Sequence, residues 1–141
     1  MRIDEIMTRD VRLASPDWSI REAAQTMASI DSGFMPVAEN DRLVGTITDR
    51  DIAIRAIAEG KGPDTKVQDI MSKDVKYCYE DEDVSDVARN MADIQIRRLP
   101  VVNRDKRLVG VVSLGDLAIE DAANEDAEMA LSGISEPRHI H

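Results

Sequence analysis

The chain holds one cysteine, Cys78, among its 141 residues. A lone thiol closes no intrachain disulfide and builds no cysteine metal cluster, and a reducing cytoplasm is the expected compartment. Aromatic residues are almost as scarce: Trp18, Phe34, Tyr77 and Tyr79 are the whole set, too few for a base-stacking platform. Basic residues number 18 against 28 acidic ones, a formal net charge of −10. Nucleic acid and anionic membranes both select a cationic face, so neither is expected as a partner, whereas a small anion in a local basic pocket stays open. No run approaches the roughly 18 apolar residues of a membrane-crossing helix. Met1-Arg2-Ile3-Asp4-Glu5 carries charge where a signal peptide is apolar. The only histidines, His139 and His141, close the chain. They fall short of the ligands a metal site needs, and no nucleophile–base constellation stands near them, so neither a metal nor an enzyme activity is expected.

What the chain does have, it has twice. Ile6-Met7-Thr8-Arg9-Asp10-Val11 is echoed by Ile70-Met71-Ser72-Lys73-Asp74-Val75, Met35-Pro36-Val37 by Leu99-Pro100-Val101, and Arg42-Leu43-Val44-Gly45 by Arg107-Leu108-Val109-Gly110. The offset is 64 from Met7/Met71 to Pro36/Pro100 and 65 at Gly45/Gly110, so the second copy holds one extra residue before Asp105. Such self-similarity defines the architecture before any residue is interpreted. A copy of about 60 residues buries a marginal core alone, so two copies packed together are expected, with boundaries at 1–62 and 63–121 and a tail over 122–141.

Each copy reads strand, helix, strand, strand, helix. In the first, Asp10–Leu13 alternates as a strand does, and Ser15-Pro16-Asp17 breaks it. Ser19 with Glu22 has capping-box spacing, and Ile20, Ala23, Ala24, Met27 and Ile30 form a helical stripe. Gly33 is expected as that helix's left-handed cap. Strands over 34–38 and 43–48 and a helix over 49–59 follow. In the second copy the strands are expected at 75–79, 99–102 and 108–113, and the helices at 83–94 and 114–121. The class is α/β (α+β), two β-α-β-β-α repeats.

Two segments carry the candidate chemistry: Thr48-Asp49-Arg50-Asp51 and Ser113-Leu114-Gly115-Asp116, each a strand running into a helix with a hydroxyl three residues before an aspartate. That spacing is also a plain helix cap. With the opening Met-Thr/Ser-x-Asp-Val, the hydrophobic-Pro-Val segment and the Leu-Val-Gly strand, all twice and in order, the chain from Ile3 to about Ile119 resembles the tandem CBS-domain pair, or Bateman module. Within that family it is similar to stand-alone bacterial pairs.

The resemblance implies two repeats packed about a pseudo-twofold axis, with adenosine nucleotides such as AMP, ADP or ATP held between them. It implies that Asp51 and Asp116 accept from ribose hydroxyls and that Thr48 and Ser113 lie near ribose and phosphate. A carboxylate has the acceptor capacity for a vicinal diol, and a helix N-terminus favours phosphate. It further implies that Thr48 and Asp51 share a cleft with Arg97 and Arg98, and Ser113 and Asp116 the other with Ser32, Gly33 and Thr8. Arg50, Arg97 and Arg98 suit phosphate, while Phe34 is positioned to fill the second adenine slot. The expectation is therefore tight binding at Asp51 and weak or none at Asp116. The implied protein is a non-catalytic regulatory module that signals energy or stress state, a homodimer with a regulated protein partner. A ligand-independent dimerisation or interaction module is the alternative.

Overall fold

Every long helix begins where a side chain can accept from its first turn, as the capping pattern requires. A computed structural model describes residues 1–119, so the expected tail over 122–141 and the end of the last helix lie outside the described residues. In α1 (Ile20–Ile30), Ser19 Oγ accepts from the Glu22 amide at 3.1 Å and the Glu22 carboxylate accepts from the Ser19 amide at 3.4 Å. In α3 (Val84–Ile94), Asp83 accepts from the Ser85 amide at 3.1 Å. At the other end the glycine expectation fails. Asp31, at φ 51° and ψ 48°, holds the left-handed cap, and Gln95 does the same at φ 55° in the second copy. Aspartate tolerates this region because its short polar chain bonds locally. Gly33 is not at positive φ.

The chain folds into two compact units, one of Arg12–Val75 and one of Met1–Val11 together with Lys76 onward. In the first unit, β1 (Phe34–Glu39) and β2 (Arg42–Thr48) form an antiparallel hairpin with Phe34 opposite Thr48 and a bulge at Val37/Ala38. Asn40 and Asp41 turn it with positive φ, the geometry that matches strand twist. In the second unit, β3 (Cys78–Tyr79) pairs parallel with β4 (Arg98–Val102), reached by the α3 crossover. β4 in turn pairs antiparallel with β5 (Leu108–Ser113), with Arg98 opposite Ser113. The expected strand over 10–13 is absent. Its pairing shrinks to one parallel bridge, Ala14 to Val37, because Ser15 and Pro16 turn the chain away directly afterwards. The expected strand over 75–79 likewise shortens to Cys78–Tyr79.

The helix expected over 49–59 divides in two. One α-turn, α2 (Asp49–Asp51), passes into a π-helix over Ile52–Ile57. Its wider turn is closed by the Ala58 amide on the Ala53 carbonyl at 2.9 Å. The wide turn keeps Ala56 fully buried and Ile52 packed on the core while Arg55 reaches the Ile70 and Met71 carbonyls at 3.0 and 3.3 Å. The counterpart α4 (Leu114–Ile119) is α-helical.

Unit boundaries and sequence repeats do not coincide, and the echoed opening motif is the reason. Thr8 exchanges backbone hydrogen bonds with Val111 of β5 at 2.9 and 3.0 Å, and Ser72 does so with Thr46 of β2 at 3.0 and 2.9 Å. Each Met-Thr/Ser motif thus closes the hairpin of the other repeat. Such close pairing needs glycine on the strand: a Cβ at Gly110 would stand 2.7 Å from the Thr8 carbonyl, and one at Gly45 2.8 Å from that of Ser72.

Each unit has its own core. Met27, Met35, Val37, Ile47 and Val67 centre one; Ile3, Val87, Met91, Leu99, Val112 and Leu117 centre the other. Cys78 lies in the second core, 3% exposed, and burial pushes its thiol up to about 12 with help from the Glu82 charge. The native thiol is therefore expected to resist a disulfide reagent at pH 8 and to react at once in guanidinium, read as release of the coloured thiolate; rapid labelling of native protein would contradict the burial. Because the folded thiol holds its proton more tightly than the unfolded one, its contribution to stability is intact below about pH 9 and falls between there and about pH 12.

Candidate functional site

The Thr48 and Ser113 segments end their strands in extended backbone and turn directly into helices, and both realise the capping box in full. Thr48 Oγ1 accepts from the Asp51 amide at 3.1 Å, and Asp51 Oδ2 accepts from the Thr48 amide at 2.9 Å. Ser113 Oγ accepts from the Asp116 amide at 3.1 Å, and Asp116 Oδ2 accepts from the Ser113 amide at 3.0 Å. All four residues are half-buried. The helix-cap reading of this spacing is thus correct, and it leaves room for a second use. Each cap occupies Oδ2 alone, and among the described residues no group donates to Oδ1 of Asp51 or Asp116. A carboxylate offers about four lone-pair positions, so each aspartate keeps capacity for two further donors while held rigidly by its cap. Thr48→Ala and Ser113→Ala are each expected to cost about 1 kcal/mol of stability in urea unfolding; no loss would mean that the caps do not hold these turns.

Each unit brings a distinct set to its cap. Beside Thr48 stand Phe34, its cross-strand neighbour, and Gly33, whose carbonyl accepts from the Asp49 amide at 2.9 Å. The Asp49 carboxyl occupies the space that a Cβ at Gly33 would take, with its Cγ 2.7 Å from that position. Ser32 Oγ accepts from the Phe34 amide at 3.3 Å, and Arg50 is exposed on the first helical turn. Beside Ser113 stands Arg98 as cross-strand neighbour, and the Arg97 carbonyl accepts from the Leu114 amide at 3.0 Å, the counterpart of the Gly33–Asp49 bond. Thr8 joins this set through its bridge to Val111, two residues before Ser113.

The register within each unit therefore associates Ser32 and Gly33 with Thr48 and Asp51, and Arg97, Arg98 and Thr8 with Ser113 and Asp116. The expected sharing of Arg97 and Arg98 with Asp51 joins residues of different units. Two residues were missed by sequence reasoning. Ser72, the echo of Thr8, is bridged to Thr46 by the same bonds, and the 64-residue offset already pointed to it. Asp49, lying against Gly33, had no sequence signal.

Strong electrostatic pairing lies elsewhere, around the hairpin turn of the second unit. Arg104 grips Asp81 with two bonds of 2.8 and 3.0 Å and stacks 4.1 Å above the Tyr79 ring. The guanidinium holds the Asp81 carboxyl below its ordinary range, and Lys106 lowers the Tyr77 phenol. The turn that carries both cations includes the extra residue of the second copy. Among the described residues no three His, Cys, Asp or Glu side chains gather as a metal site, and no helix is long and apolar enough to cross a membrane.

Known proteins agree with this architecture. Residues 3–57 and 67–122 each match the family model of the CBS domain. The CBS domain-containing protein YhcV of Bacillus subtilis is 41% identical over 139 residues, covering 99% of this chain and 98% of that protein. Hypoxic response protein 1 of Mycobacterium tuberculosis is 34% identical over 116 residues, covering 81% and 80%. The crystal structure of Hypoxic Response Protein I with two coordinated zinc ions superposes with a TM-score of 0.77 at 30% identity, covering 84% of this chain and 98% of that one. The CBS domain pair of protein MJ0100, in complex with 5-methylthioadenosine and S-adenosyl-L-methionine, superposes with a TM-score of 0.74 at 32% identity, covering 84% and 94%. The chain belongs to the CBS-domain family and carries two copies of the domain.

Proposed function

We propose that the protein is a non-catalytic regulatory module that binds an adenosine nucleotide through the ribose, with Asp51 as the principal acceptor and Asp116 as its weaker counterpart. The observation that carries this reading is the half-used carboxylate: the cap fixes Oδ2, and Oδ1 stays open to the two hydroxyls of a ribose. The MJ0100 pair, crystallised with two adenosine compounds, supports the ligand class. The first-turn amides of Asp49, Arg50 and Asp51 are engaged by the Gly33 carbonyl, the Asp49 carboxylate and Thr48 Oγ1, so the phosphate falls to the cations Arg50, Arg97 and Arg98. AMP, ADP and ATP are the proposed ligands, and the relation to hypoxic response protein 1 supports a role in reporting energy or stress state to a protein partner.

A thermal-shift panel of AMP, ADP, ATP, NAD and S-adenosylmethionine tests the reading. A ligand at 100 times its dissociation constant adds about 2.7 kcal/mol; silence across the panel would favour an interaction module. The owner of the arginines is resolved by a double-mutant cycle: Arg97→Ala with Arg98→Ala is expected to couple to Asp51→Ala, and coupling to Asp116→Ala instead would reverse the assignment. One observation favours assembly as well. Ile54 and Ile57 are 51% and 59% exposed on the π-helix, and a homodimer that covers them is proposed, with light scattering of Ile54→Asp/Ile57→Asp expected to report the monomer.

A further inference from the structure

Asp49 is an acid beside the candidate site that the ribose reading leaves without a role. It opens α2, two places before Asp51, and it is exposed. Its Oδ1 accepts from the Arg50 amide at 2.8 Å. A helix start presents such amides to a phosphate, so a resident carboxylate here takes a donor that an incoming anion would use. Among the described residues that carboxylate makes no ion pair, and no side-chain cation neutralises it directly.

The fold holds the Asp49 carboxyl from its other side as well. Its Cγ and Oδ1 lie 2.7 and 2.9 Å from where a Cβ on Gly33 would stand, so glycine at 33 leaves it the room. The second unit is built otherwise. Leu114 stands at the place of Asp49 and Arg97 at that of Gly33, joined by the equivalent backbone bond. That corner has a cation and no acid. On the Thr48 turn, Asp49 offsets the charge that Arg50 brings, while Asp51 is taken up by the ribose. Two residues of a helix advance only about 3 Å. A ribose on Asp51 therefore keeps its 5′ group within roughly one Debye length, about 8 Å, of Asp49. Like charges at that range repel, and the repulsion grows with each phosphate added.

We propose that Asp49 sets the charge of the ligand at the Asp51 site: it selects adenosine compounds with few phosphates and disfavours each one added. The inference rests on the ribose reading of Asp51 and adds which members of that ligand class the site takes. Calorimetry of the full chain with adenosine, AMP and ATP, in magnesium-free buffer, compares wild type with Asp49→Asn and Asp49→Glu. The asparagine oxygen can still accept from the Arg50 amide, and the negative charge is lost. Wild type is expected to bind AMP more tightly than ATP. In Asp49→Asn the ratio of ATP to AMP affinity is expected to rise about fivefold, with adenosine within about twofold of wild type. Asp49→Glu, which restores the charge, is expected to keep the wild-type ratio. An unchanged ratio in Asp49→Asn, or a gain shared equally by adenosine, would overturn the proposal and leave the ribose reading standing. Failure of wild type to bind any of the three, or binding indifferent to Asp51→Ala, would overturn the ribose reading and this inference with it.

Discussion

Asp51→Ala is expected to weaken binding of AMP or ATP about a hundredfold in calorimetry, while Asp116→Ala leaves the tight site within about threefold of wild type. The magnitude follows from what the carboxylate does. Each hydrogen bond to a charged acceptor contributes about 1.5–3 kcal/mol net, and a ribose diol makes two. The alanine change also removes half of a cap, so part of its effect is on the turn itself. Asp51→Asn separates the two: its side-chain oxygen still accepts from the Thr48 amide, while an NH2 donor replaces the acceptor that faced the ribose, so binding is expected to weaken with the cap retained. Retention of tight binding in Asp51→Ala with its loss in Asp116→Ala would move the principal site to the unit in which Arg98 faces Ser113.

The largest structural effect is expected at the paired glycines. Gly110→Val forces side-chain atoms into the Thr8 carbonyl and the Met7 sulfur, which lie 2.7 and 2.8 Å from a Cβ at that position. Neither Thr8 backbone nor a buried methionine can step aside without breaking the bridge to Val111, so a loss of about 3 kcal/mol is expected in urea unfolding. Gly62→Ala is the control. Nothing stands within 4 Å of its Cβ position, and the variant is expected to gain about 0.5 kcal/mol through the unfolded chain. Similar midpoints for the two variants would mean that the Met-Thr motif does not close the hairpin.

Those glycines also mark where sequence reading succeeded and where it stopped. The duplication, both hairpins and both capping boxes were legible because each is a local pattern repeated twice, and repetition suppresses chance matches. The exchange of opening motifs between repeats was not, because pairing Thr8 with Val111 is a long-range choice that no local period encodes. Asp31 displaced Gly33 as helix cap for a related reason. Gly33 is needed small against the Asp49 carboxyl, a tertiary contact, and the left-handed position fell to the residue directly after the helix. The π-helix was hidden as well: Ile52, Ala56 and Arg55 satisfy an α-helical period, and the wider turn is distinguished by the bond from the Ala58 amide to the Ala53 carbonyl, which no sequence period encodes.

The site was legible as residues and incomplete as geometry. Thr48, Asp51, Ser113 and Asp116 were legible from their spacing, and the bonds that make them caps are what any helix start would show. The open Oδ1 is the feature that goes beyond a cap, and it makes the ribose diol the decisive ligand group. The most direct measurement is therefore calorimetry of AMP against 2′,3′-dideoxy-AMP with wild type and Asp51→Ala. The diol reading predicts that wild type loses about a hundredfold on removal of both hydroxyls and that Asp51→Ala no longer distinguishes the two ligands. Equal affinity of wild type for AMP and its dideoxy form would contradict it.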